Sequence, residues 1–201
     1  METVRAFLAF NLDIAATRRV IDVQRKLRET LTTDAGWKVS WVAPPNLHVT
    51  LKFFGEIDDT LAAPIRDAIE PLVGKRRPLR ARARGIGVFP PTGEPRVLWI
   101  GVDDRDSEGR GAPIAALARQ IDERLSAIGF AKETRPFHAH LTLGRVKAAP
   151  DGWRETLAGL ANADAGQSNV TEVVLYRSDL SRAGAEYHAL CRMPFAPRRD
   201  A

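Results

Sequence analysis

Two imidazoles and two hydroxyls recur in one fixed spacing. His48-Val49-Thr50-Leu51 and His140-Leu141-Thr142-Leu143 both read His-x-Thr-Leu, and the chain has only four histidines in all. An unperturbed imidazole titrates near ~6.5, so one ring can take a proton while the other gives one. Each nearby hydroxyl can donate a hydrogen bond to an oxygen that gains charge as the reaction proceeds. The copies lie about half a chain length apart, which suggests two similar halves, each supplying one wall of a cleft.

Residues i and i+2 of a strand face the same way. Leu47, Val49, Leu51 and Phe53 then form a core-like face, and His48 and Thr50 project together from the other. Leu141 and Leu143 stand in the same way behind His140 and Thr142. His138 projects with His140, so a zinc pair is the alternative. Such a site needs a third ligand, and the nearest carboxylates, Glu133 and Asp151, are not placed on that strand face. We therefore expect no metal and no cofactor. His188 has no such company and reads as structural or exposed.

Several elements must position these groups. Arg5 to Leu12 reads as a strand, and Asp13 is a plausible N-cap for a helix through about residue 33, with Ile14, Val20, Val23, Leu27 and Leu31 as its apolar positions. A short extended piece spans Trp37–Trp41, and Pro44-Pro45 precedes a strand over Leu47–Phe54. A helix over 58–73, capped by Asp58 or Asp59, leads to strands near 79–89 and 96–102 joined by a Pro- and Gly-rich turn. A third helix spans about 113–128 and ends at Gly129. Beyond it come an extended segment near 136–146, a short helix near 151–161, and strands near 170–178 and 185–192. This order predicts an α+β fold with largely antiparallel sheet. No Gly-x-Gly-x-x-Gly or phosphate-binding loop of Walker type occurs.

With 201 residues, 44% of them hydrophobic and 27% charged, the chain can bury a substantial core. No apolar run approaches the ~18 residues of a membrane span, and no secretory leader is visible, so a cytoplasmic protein without membrane contact is expected. Cys191, the only cysteine, excludes an internal disulfide and reads as a small buried residue. Thirty Lys and Arg against 25 acids give +5, a modest excess that fits a polyanion such as RNA. Lys75, Arg76, Arg77, Arg80, Arg82 and Arg84 form the densest basic cluster, read as a solvated loop followed by an exposed strand edge, with an RNA-backbone path as the alternative.

Pro45 to Glu56 and Arg135 to Arg145 resemble the paired signatures of the two-histidine phosphoesterases, most closely the RNA 2′,3′-cyclic phosphodiesterase branch, also called 2′-5′ RNA ligase. The similarity extends over nearly the whole chain, with Arg5-x-Phe7, Phe89-Pro90, Pro95 to Trp99 and Ser178 to Tyr187 falling where that family places such pieces. Ala139 departs from it, because members usually carry proline before the second histidine. The resemblance implies one bilobal domain over 1–201, with pseudo-symmetric lobes taken as residues 1–103 and 104–201, helices outside, and the active-site cleft between. It implies metal-free hydrolysis of RNA 2′,3′-cyclic phosphate ends; tRNA halves are candidate substrates, and a monomer is expected. His48 is assigned as proton donor and His140 as proton acceptor, roles that near-symmetry allows to swap, with Thr50 and Thr142 on the phosphoryl oxygens. Arg145 matches the family's arginine and is a candidate phosphate contact, although an ideal strand would turn it to the face opposite Thr142. Phe10, Trp41 and Phe89 are candidate stacking aromatics for RNA. The rival readings are 2′-5′ ligation by the same residues and a non-catalytic RNA-binding module.

Overall fold

The computed structural model describes residues 2–33, 36–104, 113–181 and 184–197. Along the chain run β1 (Thr3–Phe10), α1 (Ile14–Thr33), β2 (Lys38–Trp41), β3 (Val49–Asp58), α2 (Ala62–Val73), β4 (Leu79–Phe89) and β5 (Val97–Asp103). Then follow α3 (Pro113–Ser126), β6 (His140–Ala148), α4 (Trp153–Ala158), β7 (Asp164–Val170), β8 (Glu172–Ser181) and β9 (Gly184–Pro194). The nine strands form one sheet in the order β7-β4-β5-β6-β3-β1-β8-β9, with β2 added on β6. Every pairing is antiparallel, as the α+β reading expects.

At the centre, β3 and β6 meet through one paired position, Val49 opposite Leu141. Reading outward, one half is β3-β1-β8-β9 and the other is β6-β5-β4-β7. These halves are not residues 1–103 and 104–201. The chain leaves the first half after α2 to lay down β4 and β5 in the second, and returns after β7 to add β8 and β9 to the first. Each half thus borrows strands from the other end of the sequence, which a division by position cannot foresee.

Helix α1 starts where the sequence indicates. Asp13 Oδ1 accepts from the Ala16 amide at 2.8 Å, and its Oδ2 accepts from the Asn169 amide at 2.9 Å. Burial alone would raise that carboxyl, but these two hydrogen bonds, together with Ser168 and the charge of Arg19, outweigh it and hold Asp13 below the usual carboxylate value. Ala16, Val20, Gln24, Leu27 and Leu31 form the buried stripe of α1, while Ile14 is left exposed. Asp58 caps the short 3-10 turn Asp59–Leu61 that leads into α2. Apolar sides of all four helices join the strands in a single core. A smaller cluster of Phe7, Ala9, Val174 and Tyr176 is separate from it, so the sheet also carries apolar rings away from the helices.

β7 was not foreseen. Its sequence, Asp164-Ala165-Gly166-Gln167-Ser168-Asn169-Val170, is polar and has no large apolar side chain to alternate. It pairs along β4, so Arg80, Arg82 and Arg84 lie on an interior strand rather than an edge. Arg82 and Arg84 are ion-paired to Asp164 and Asp103 on the neighbouring strands. No helix among the described residues is long and apolar enough to cross a membrane. Cys191 is a free thiol, half-buried, and burial pushes it up.

Candidate active site

Both His-x-Thr-Leu motifs sit at the junction of the two halves, and both contain the same irregularity. On β3, Ala9 lies opposite Thr50 and Leu8 opposite Lys52, so Leu51 is an extra residue without a partner. On β6, Trp99 lies opposite Thr142 and Leu98 opposite Gly144, so Leu143 is extra in the same way. The leucine of each motif is therefore a β-bulge. A bulge sets two successive residues toward one face. Leu51 and Leu143 are buried, and so are their followers, the Lys52 side chain and Gly144.

Each bulge is tied down by a helix. Gln24 of α1 is buried and donates to the Leu143 carbonyl at 2.8 Å and the Val42 carbonyl at 2.9 Å. Lys52 donates to Asp122 of α3 and to the Ala131 carbonyl, both at 2.6 Å. Groups this deeply set are held by charge-assisted or fully satisfied hydrogen bonds, which fix the strands before any substrate arrives.

Upstream of the bulge the alternation is regular, and the two imidazoles are anchored alike. His48 Nδ1 lies 2.7 Å from the Asn46 carbonyl oxygen, and His140 Nδ1 lies 2.7 Å from the His138 carbonyl oxygen. A carbonyl only accepts, so in both rings Nδ1 carries the hydrogen and Nε2 is the nitrogen left for chemistry. His48 Nε2 lies 3.1 Å from the Thr50 hydroxyl. Among the described residues, His140 Nε2 has no protein hydrogen-bond partner and is open to water. The Ala139 carbonyl accepts from the Val102 amide at 2.9 Å, so this segment is held although it lacks the family's proline.

Aromatic rings fix the imidazole planes. Phe7 stacks on His48 at 4.7 Å between centroids, and Tyr187 meets the same ring edge-on at 5.2 Å. Phe89 meets His140 edge-on at 5.0 Å, with Trp99 at 6.1 Å. Burial lowers both imidazoles from their ordinary value, and the carbonyl bonds oppose this only in part. A positive charge on His140 lowers His48 further, so the two rings share one field and resist being charged together.

Downstream of the bulges the ordinary alternation rule fails, and several expectations change with it. Phe53 is not a core residue: it is 64% exposed and lies beside Phe7 at 5.8 Å, whereas Phe54 packs on the core. The bulge at Leu51 reverses the faces. The one at Leu143 does the same for Arg145, bringing it to the face of Thr142. The positive charge of Arg145 is felt by Tyr187, whose hydroxyl is pushed up by burial against the opposing effect of Arg145 and Arg5. Arg145 on β6 thus comes within electrostatic reach of β9 in the opposite half.

Phe10 and Trp41 do not face the site. Phe10 is fully buried and opposite Val49 on the core face. Trp41 lies opposite Gly144 and packs on the core, because the bulge turned that position inward. Phe89 alone of the three touches a motif histidine. Sequence reading missed Phe53, Tyr176, Tyr187, Trp99, Gln24 and Lys52 as parts of the site. Nothing local marks most of them, since the strands that bring Tyr176 and Tyr187 come from the far end of the chain. His188 is exposed beside Asp179 at 3.4 Å. Among the described residues no group of three or more His, Cys, Asp or Glu stands together as a metal cluster.

Residues 10–182 match the 2′-5′ RNA ligase superfamily. The chain belongs to that superfamily. It is 36% identical over 186 residues to an RNA 2′,3′-cyclic phosphodiesterase of Methanothermobacter thermautotrophicus, covering 92% of this chain and 95% of the relative. It is 30% identical over 167 residues to the Aeropyrum pernix protein of the same name, covering 82% and 90%. Among solved structures, TT0787 of Thermus thermophilus superposes with a TM-score of 0.75 at 27% identity, covering 95% of this chain and 97% of that one. Escherichia coli LigT complexed with 3′-AMP shares the fold, with a TM-score of 0.70 at 23% identity over 98% of this chain and all of that one.

Proposed function

We propose that the protein hydrolyses RNA 2′,3′-cyclic phosphate ends to 2′-phosphates by paired acid–base catalysis, without a metal. One observation carries this reading. Two imidazoles, each with Nδ1 fixed to a carbonyl, leave their Nε2 atoms for chemistry at one junction, close enough for charge on one to act on the other. The names of the curated relatives, RNA 2′,3′-cyclic phosphodiesterase, support the same substrate class.

In the proposed step, His140 Nε2, open to water, takes a proton as the water oxygen bonds to phosphorus. The P–O3′ bond breaks, and O3′ takes a proton from His48 Nε2. The Thr50 and Thr142 hydroxyls donate to the phosphoryl oxygens, and the Arg145 guanidinium balances the charge that builds on them. RNA ends of this type, tRNA halves among them, are the substrate class.

The test is product analysis on adenosine 2′,3′-cyclic phosphate with excess chelator. Conversion to adenosine 2′-phosphate alone is expected. A 3′-phosphate product, or loss of turnover on chelation, would reject the reading.

A further inference from the structure

The two strands that carry the motifs, β3 and β6, meet through one paired position, Val49 opposite Leu141. Pairing within the sheet therefore leaves much of the spacing between His48 and His140 to groups that cross the junction on its helix-packed side. Lys52 is such a group. It follows Thr50 by two residues, and the bulge at Leu51 turns it inward, where its side chain is 9% exposed. Its ammonium donates to Asp122 Oδ1 of α3 and to the Ala131 carbonyl, both at 2.6 Å. Asp122 also accepts from the Glu133 amide, at 3.2 Å through Oδ1 and 3.1 Å through Oδ2. Two residues beyond Lys52, the Phe54 ring meets Phe130 edge-on at 4.9 Å.

These contacts pin β3 to residues 130–133, the start of the connection that runs from α3 to His138 and His140. The far end of that connection is held to β5, where the Val102 amide donates to the Ala139 carbonyl and Gly101 lies opposite His140. One ammonium thus ties the strand of the first motif to the segment that delivers the second.

The chemistry of this tie says more than its place. An ammonium withdrawn from water is costly, and apolar side chains of similar size commonly pack as well as a buried ion pair or better. What they lack is direction, because charge-assisted hydrogen bonds hold their partners at a set distance and angle. We propose that Lys52 is a positioning residue for the reaction, its ion pair with Asp122 setting the separation of the two imidazoles across the phosphorus. The inference rests on the acid–base reading above. Lys52 faces away from Thr50 and touches no reacting atom, so it acts through the strands alone. Small displacements are enough, since about 1 Å of misplacement can cost roughly 10²-fold in rate.

The experiment measures hydrolysis of adenosine 2′,3′-cyclic phosphate and urea unfolding for the parent and for Lys52→Met/Asp122→Leu, each also in a His48→Ala background. Ala131 and Glu133 are exposed, so water can take up the carbonyl and the amide that the change releases. The double variant should keep the parent's unfolding midpoint and lose roughly tenfold or more in kcat, with KM within about threefold. In the His48→Ala background no pair remains to be spaced, and the same changes should cost no more than about twofold. Parent-like kcat in the double variant, or an equal fractional loss in both backgrounds, overturns the positioning role and leaves the main reading intact. Should the double variant fail to fold, Asp122→Asn, which keeps the size and drops the charge, decides in its place. A fall in kcat with KM held supports the role there, and parent-like kcat overturns it. A parent inactive on the cyclic nucleotide sinks both readings.

Discussion

In the half of the sheet that carries His48, the positions around the motif are filled with rings: Phe53 pairs with Phe7, and Phe7 pairs with Tyr176. In the half that carries His140, the register-equivalent positions hold Arg145, Val97 and Phe89. Beside the threonines the contrast inverts. Ala9 and Val174 stand in the first half where Trp99 and Gly87 stand in the second. The backbones correspond down to the bulged leucine, yet one flank is a packed aromatic wall and the other offers a cation, with the Trp99 ring laid over Gly87. The duplicated geometry places the imidazoles, and the side chains beyond the bulge make the two flanks different. Two imidazoles held in matching backbone geometry therefore need not have matched surroundings.

The largest break in this comparison comes from removing either imidazole. His48→Ala and His140→Ala should each lower turnover by ~10²-fold or more, since each removes one proton-transfer partner. Near-parent turnover in either purified variant would refute the pairing. Next comes the cation. Arg145→Ala should cost roughly 10-fold or more in kcat/KM through lost charge stabilisation, whereas Phe53→Ala at the equivalent position should cost less. Equal effects would mean the flanks are not specialised.

A structural break follows. Gln24→Ala should destabilise the fold by about 1–3 kcal/mol, because a buried carbonyl at the bulge loses its donor; thermal or urea unfolding would measure this. Activity lost without loss of stability would contradict that positioning role. The gentlest probe is pH. Both imidazoles are lowered by burial, so the bell-shaped profile of kcat/KM should peak on the acid side of about 6.5 and fall as rising pH removes the donor's proton. A flat profile, with chemistry limiting, would contradict it. The sign for stability is set the same way. Burial makes these rings harder to protonate in the fold than in the unfolded chain, so their contribution is full above the unfolded value and is lost as pH falls through the lower folded values.

Much of this was legible in the sequence. Asp13 announced the start of α1, and strict alternation put His48 with Thr50 and His140 with Thr142. The failures begin where alternation stops. A β-bulge is a property of two strands in register, and a single strand read alone carries no sign of it. That one feature put Phe53 in the core and turned Arg145 away from the site. The exchange of strands between halves had a similar effect. Tyr187 stands beside His48, and Tyr176 beside Phe7, only because β8 and β9 return from the far end of the chain.

Whether both rings serve a single phosphorus is asked most directly by a double-mutant cycle. Turnover of adenosine 2′,3′-cyclic phosphate would be measured for His48→Ala, His140→Ala and the double variant. Groups acting as a unit are strongly non-additive, so the double variant should be no more than a few-fold worse than the poorer single. Losses that multiply, with the double variant reduced by the product of the two, would show that the histidines act independently.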